Sequence, residues 1–246
     1  MKTIILLICC FLGTLTFAQT RPPSSDKSWA FELSTALRAK PKLINKTGAL
    51  HPKVRNSIAF AFGLQHQRKV SKDLSFLVGL NGSAHLDFWL SETVKDVQYN
   101  ESIKTNALDL TALRLNLPIG LSTPLVQHKH FNIHIKTGFI TSLKVLDYGF
   151  STSSSISLNN NEEYELSLSS SGIEHQLEWS PFLGIQLDIS ERLYLGFDVI
   201  YNPKYNIKGH YKFEHFTDNQ LDEVGYGELE TQKTCFQFGL GYKFIK

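Results

Sequence analysis

The sequence predicts an all-β fold: a closed, antiparallel, eight-stranded transmembrane β-barrel with short periplasmic turns and long extracellular loops. Three observations point there. Apolar residues recur with period two in eight separate segments. The connections between those segments alternate strictly between short and long. The chain also closes on its cleanest alternating stretch, CFQFGLGYKFIK from Cys235 to Lys246, where Phe236, Phe238, Leu240, Tyr242 and Phe244 share one face. A terminal strand of a soluble domain would fray. In lipid no sheet edge can stay open, so a last strand must pair with the first.

The first element is a leader. Lys2 precedes an apolar run from Ile4 to Leu12, and Thr16-Phe17-Ala18 sets small residues at the two positions that signal peptidase reads. This predicts a signal peptide over 1–18 and export. The run is too short for a membrane-anchoring helix, which needs about 18 residues or more. Cys9 and Cys10 lie within it, so of the three cysteines only Cys235 remains after cleavage, and an intramolecular disulfide is excluded. The polar, proline-bearing stretch 19–28 predicts a flexible periplasmic leader, and 29–246 the barrel. The whole chain has 25 basic and 23 acidic residues, a balance that argues against a nucleic-acid partner.

Each strand follows from its alternation. The first carries Trp29, Phe31, Leu33, Thr35 and Leu37, and the second Ile58, Phe60, Phe62 and Leu64. The third carries Phe76, Val78, Leu80, Gly82, Ala84, Leu86 and Phe88 on its expected lipid face. The fourth runs from Leu113 to Leu121 and the fifth from Phe131 to Leu143. The sixth runs from Leu177 to Leu187 and the seventh from Leu193 to Tyr201. The eighth is the closing stretch. Short connections follow strands two, four and six, at Arg68–Asp73, Thr123–Lys129 and Ile189–Arg192. Long ones follow strands one, three, five and seven, at about 39–56, 90–106, 147–176 and 206–230. An even strand number places both ends on the periplasmic side. Within the last two long loops, SISLNNNEEYELSLS and GHYKFEHFTDNQLDEVGYGELE each alternate about a polar turn and predict protruding hairpins.

The opposite faces are polar or small: Glu32, Gln65, Asn81, Arg114, Lys136, Glu178, Gln186, Asp198 and Lys243, with Gly63, Gly79, Gly138, Gly184, Gly196, Gly239 and Gly241. Eight strands leave an interior that side chains fill. Unpaired charge there is costly. The expectation is therefore a plugged lumen, with Glu32, Glu178 and Asp198 paired to Arg114, Lys136 and Lys243. Trp29, Trp89, Trp179, Tyr201 and Tyr242 near strand ends predict interfacial girdles.

Strand four reads LRLNLPIGLS (Leu113 to Ser122), and ISERLYLGFDVIYNP (Ile189 to Pro203) spans the next turn and strand seven. Both stretches resemble the PorT-like and related OmpA-type small outer-membrane barrels of Bacteroidetes, with Leu117, Pro118, Ile119 and Leu121 at the matching places. The resemblance implies an eight-stranded barrel in the outer membrane of a Gram-negative bacterium and carries no catalytic residue. Tyr242 and Phe244 resemble a terminal insertion signal, which implies the barrel-assembly machinery as a partner during insertion. Ile245 and Lys246 extend past the usual last aromatic.

Three constellations hold residue types that could do chemistry. Ser83, His85 and Asp87 share one strand face and are the parts of a nucleophilic triad, but the alternation turns them to the lumen, away from the lipid that an outer-membrane lipid-modifying enzyme would act on. His128, His130 and His134 surround a periplasmic turn, yet residues four apart on a strand are about 13 Å apart along it, too far to share a zinc ion. Lys40, Lys42, Lys46, Lys53 and Arg55 make the first outer loop basic, matching either lipopolysaccharide phosphates or the acidic later loops with Glu162, Glu163, Glu165, Asp222, Glu223, Glu228 and Glu230. The expected function is a non-enzymatic envelope protein, structural, adhesive or accessory to a possibly secretion-associated complex, with no cofactor or metal. Its expected partners are outer-membrane lipids, lipopolysaccharide and an envelope protein bound through the outer loops. The alternatives are the lipid-modifying enzyme using Ser83 and His85, and a soluble exported lipocalin-like binder with its apolar residues inside.

Overall fold

The structure is a computed structural model that describes residues 27–48, 51–96, 101–128, 130–147, 151–158, 161–170, 177–204 and 207–245. The signal peptide and most of the leader lie outside these residues. Among the described residues fourteen strands follow one another: β1 (Lys27–Arg38), β2 (Lys42–Gly48), β3 (Lys53–Val54), β4 (Ser57–Ser71), β5 (Leu74–Asp96), β6 (Glu101–Gln127) and β7 (Asn132–Asp147), then β8 (Ser151–Ser157), β9 (Glu162–Ser170), β10 (Leu177–Asp188), β11 (Leu193–Tyr201), β12 (Lys208–Thr217), β13 (Gln220–Glu230) and β14 (Thr234–Ile245). No helix among them is long and apolar enough to cross a membrane.

Eight of these are the strands read from the alternation. Their antiparallel pairing runs β1-β4-β5-β6-β7-β10-β11-β14 and returns to β1. The closing seam is continuous from Ser28↔Ile245 to Arg38↔Cys235, so the terminal strand is paired along both sides. β1 starts ahead of Trp29, because Lys27 and Ser28 already find cross-strand partners in Arg68 and Gln67. The three tight turns and both ends of the ring share one rim, called the lower rim below. The long connections leave the other.

The alternation is carried out in burial. Along β10, Glu178, Ser180, Phe182, Gly184, Gln186 and Asp188 are buried, while Leu177, Trp179, Pro181, Leu183 and Ile185 are exposed. Trp179 is 62% exposed and Phe62 on β4 also 62%, figures that only an apolar surrounding would favour. The large residues of β1 likewise face out at Trp29, Leu33 and Leu37, whereas Ala30, Glu32 and Arg38 face in. A lipocalin-like arrangement requires the reverse. Pro118 lacks an N–H, and the β5–β6 register accordingly passes from Val78↔Ile119 to Asn81↔Asn116 without pairing it, while β7 still pairs Ile140 with it.

Above the upper rim the structure departs from the expected loops. The stretches 90–96 and 101–106 form a ladder, not a loop: β5 has 23 residues and β6 has 27, paired as far as Asp96↔Glu101. At about 3.3 Å per residue they run to some 75–90 Å of strand, whereas about 9–11 residues suffice to cross a bilayer. The two expected hairpins form, as β8–β9 and β12–β13. The latter turns at Asp218 and Asn219, both at positive φ (51° and 63°), as a two-residue type I′ turn requires. The hairpins do not stand alone. They join with β2, from the basic first loop, in a five-stranded sheet ordered β2-β13-β12-β9-β8.

This sheet packs an apolar core against the β5–β6 extension: Phe88, Leu90, Ala112, Leu166, Leu168, Ile207, Tyr211, Phe213 and Leu229 are all nearly inaccessible. Phe88, expected on the lipid face with Leu86, is therefore fully buried. The cause is local. The β5–β6 register shifts between Leu86 and Phe88, so Asp87 is taken up in a bulge, and a bulge reverses which residues of a strand face inward. The sheet, the extension and their shared core form a head above the ring, and Phe88→Ala is expected to cost this head about 3–5 kcal/mol. Limited proteolysis should then cut at the β12–β13 turn sooner, while the ring keeps its folded gel mobility.

Candidate functional site

The inner wall of the ring is the one place where polar chemistry concentrates below the head. Near the lower rim, Lys243 Nζ donates to Asp188 Oδ2 at 2.7 Å, with His134 Nε2 3.3 Å from the same oxygen. Gln186 donates to the other oxygen at 2.8 Å. The Tyr194 hydroxyl crosses the interior to donate to Glu32 at 2.7 Å and reaches Gln65 at 3.1 Å. Higher, Lys136 meets Asp198 at 3.0 Å. At the top, Arg114 meets Glu178 at 2.6 Å, and Asn202 also donates to Glu178. Arg38 meets Asp87 at 2.9 Å, and the Ser57 hydroxyl donates to the Asp87 carbonyl at 2.6 Å.

Glycine makes room for these crossings. A Cβ on Gly184 would fall 1.7 Å from Asp198 Oδ1, and one on Gly241 would fall 2.0 Å from Tyr194 Cζ. Both substitutions would displace a side chain that spans the interior.

The expected lumenal residues are thus brought together, and within the expected set Arg114 pairs with Glu178 and Lys136 with Asp198. Lys243 and Glu32 find other partners, Asp188 and Tyr194. Sequence reading did not single out Asp188, Tyr194 or Arg38 for these roles. It also missed an apolar patch inside the wall, where Phe182, Ile200 and Cys235 pack with Ala36 and Ile140. The signal was present, since Phe182, Ile140 and Ile200 interrupt the polar phase of their strands. Phe182 lies across Gly138 and Gly120, its cross-strand neighbours, where the missing side chains leave space for its ring. A cavity of about 100 Å³ lies between this patch and a polar side with Arg38, Ser83, His85 and Arg114.

Ser83, His85 and Asp87 face this interior, as expected. Ser83 Oγ lies 3.0 Å from His85 Nε2 and accepts from Asn116 Nδ2 at 2.8 Å. The Asp87 carboxylate is engaged by Arg38. The set is walled off from the outward face by the strand that carries it. The histidine trio is divided. His134 turns inward to Asp188, whereas His128 and His130 stay at the turn with ring centroids 5.7 Å apart. Among the described residues no group of three His, Cys, Asp or Glu is placed to hold a metal ion. The basic first loop meets the acidic fourth: Lys42 pairs in register with Glu230, and Asn45 donates to Glu228 at 3.0 Å. Arg55 donates instead to Ser91 Oγ at 2.9 Å. Of the expected girdle residues, Trp29, Trp179 and Tyr201 are exposed on the outward face, and Trp89 is half-buried above the Asp87 bulge.

No family model and no curated protein matches this chain. Among solved structures it is similar to the outer membrane protein OprG from Pseudomonas aeruginosa, at 11% identity and a TM-score of 0.38, over 92% of this chain and 99% of that one. It is also similar to the outer membrane protein AlkL, at 10% identity and a TM-score of 0.33, over 93% and 97%. The translocator domain of the autotransporter NalP from Neisseria meningitidis matches at 7% identity and a TM-score of 0.25, over 98% and 96%.

Breaking the buried Arg114–Glu178 pair from one side, as in Glu178→Gln or Arg114→Met, is expected to cost about 3–5 kcal/mol, because the surviving charge is stranded. Removing both charges in Arg114→Met/Glu178→Leu should recover most of that loss. Urea unfolding of the reconstituted protein, followed by tryptophan fluorescence, measures both.

Proposed function

We propose that the chain is a non-enzymatic, integral outer-membrane β-barrel whose polar lumen is plugged, and whose head is the working part. The head would serve a structural or adhesive role, or join an envelope complex as an accessory. The observation that carries this reading is the inverted polarity of the ring: large apolar side chains outside, ion pairs inside, and a strand order that returns to its start. Such a wall is stable only where its outside meets acyl chains and every backbone group is paired within it. The protein is accordingly an outer-membrane protein of a Gram-negative bacterium.

The lower rim, with its tight turns and both strand ends, is assigned to the periplasm, and the head to the exterior. Trp29 near the lower rim and Trp179 and Tyr201 near the upper one serve as girdles at the two interfaces. The plug is supported by interactions on successive levels of the interior, from Asp188–Lys243 up to Arg38–Asp87, topped by the apolar core of the head. The resemblance of LRLNLPIGLS to the PorT-like barrels supports an accessory role in the envelope, secretion-associated or otherwise. A head that buries its own core and presents polar strands outward suits protein contact. Lipopolysaccharide remains a partner for those lysines of the first loop that the acidic strands leave uncovered. The barrel-assembly machinery would insert the chain.

Two measurements test the reading. In planar bilayers the reconstituted protein is expected to show no steady conductance of porin size, and such a conductance would refute the plug. Lipid A acylation is expected to be the same in a Ser83→Ala strain as in its parent, and an altered pattern would return Ser83 and His85 to the role of an enzyme.

A further inference from the structure

Side chains do not fill the inside of the ring throughout. The cavity of about 100 Å³ is a chamber within the plug. Tyr194, crossing to Glu32 and Gln65, stands at its lower end, and the Arg38–Asp87 pair at its upper end. One wall is apolar, where Phe182, Ile140 and Ile200 meet Ala36 and Cys235. An apolar cavity of roughly 150 Å³ takes benzene, so this chamber suits a guest of about one small ring. The charged groups of the other wall face their own partners: Arg38 meets Asp87, Arg114 meets Glu178 and Lys136 meets Asp198. A guest ion would therefore enter without a counter-charge, and a charge taken out of water without one is costly. Asn116 and Gln237 add neutral amides to the lining. Asn116 donates one N–H to Ser83 Oγ at 2.8 Å, and Gln237 donates one to Ser34 Oγ at 3.1 Å. Each amide also has a second N–H and a carbonyl oxygen to offer.

We propose that this chamber is a binding site for a small neutral amphiphile, a molecule of about five or six carbon atoms that carries one hydroxyl. Its hydrocarbon part lies against Phe182, Ile140 and Ile200. Its hydroxyl donates to the amide oxygen of Asn116 or Gln237 and accepts from an amide N–H of the same pair. The site goes beyond the role assigned to the head and does not depend on it.

Methyl NMR of the folded full chain in detergent micelles tests it, with isoleucine labelled and cyclopentanol as the probe. Ile140 and Ile200 belong to the inner patch, whereas Ile119, Ile135 and Ile185 are exposed on the outer face and report probe dissolved in the micelle. Cyclopentanol is expected to shift the Ile140 and Ile200 methyls along a saturating curve, and the outer methyls only in proportion to its concentration. Cyclopentanecarboxylate and cyclopentylammonium should bind at least about tenfold more weakly. Asn116→Ala/Gln237→Ala should weaken cyclopentanol by about tenfold, for two lost hydrogen bonds, and leave cyclopentane as it was. Ala36→Leu, which fills the apolar side, should abolish the inner shifts. Heat-modifiable gel mobility shows that each variant folds, and where one does not, the alcohol-to-ion ratio on the parent decides. Inner methyls that move only as the outer ones do, an ion bound as tightly as the alcohol, or an affinity untouched by the double variant overturn the site.

Discussion

The structure depends on one constraint: in the wall of the ring, backbone N–H and C=O groups have neighbouring strands and nothing else to bond to. The seam between β1 and β14 answers it, with eleven residue pairs in unbroken register. Once the seam closes, the rest is determined in turn. The strands alternate, so a greasy outside forces a polar inside. On that inner face a charge taken out of water without a partner is costly, so the charges find one another. Arg114 with Glu178, Lys136 with Asp198, and Lys243 with Asp188 are the outcome. Each pair bridges strands that are far apart in sequence, so the polar contents also hold the cross-section of the ring.

The same chain obeys two opposite rules along its height. In the ring, apolar residues face outward and ion pairs inward. In the head, Leu166, Leu168, Tyr211, Phe213 and Leu229 face a buried core, as in any water-soluble sandwich, and Ser153, Ser155 and Ser157 are exposed. β5 passes from one regime to the other without ending. Its bulge at Asp87 makes the change, and Asp87 itself is held by Arg38 and Ser57 at the boundary. A bulge carrying a buried carboxylate is stable here because both of its obligations, charge and chain direction, are met by β1 and by the residue that opens β4.

Much of the ring was legible in the sequence because period two is a strong signal when one face meets lipid. All eight strands, both outer hairpins and the inward placement of Glu32, Arg114, Glu178 and Asp198 follow from parity alone. Parity has no memory of a bulge, which is why Phe88 was assigned to the wrong side. Nor does local alternation report that separate hairpins share a sheet, so the union of β2 with β13, brought about by residues about 180 apart, was not visible. The inner patch of Phe182, Ile140 and Ile200 escapes a sequence reading for a different reason. Each looks like a single exception on its own strand, and only the register that stacks Phe182 on Gly138 and Gly120 shows them as one surface. Charged partners were readable as a set but not as couples, because Lys243 could equally face any acid at its level.

The long β5–β6 hairpin gives the molecule a mechanical character. It is anchored at its foot in the ring and carries part of the head core, Phe88, Leu90 and Ala112, around the Asp87 bulge, with no break in its ladder longer than the two positions skipped around Pro118. A tether pulling on the head along the axis would draw β5 and β6 upward together and load in shear the ladders that hold them to β4 and β7, and not peel those bonds one at a time. Tension applied to the head would thereby reach the buried ion pairs at the ring's upper end, Arg114 with Glu178 and Arg38 with Asp87, which lie at the base of the mast.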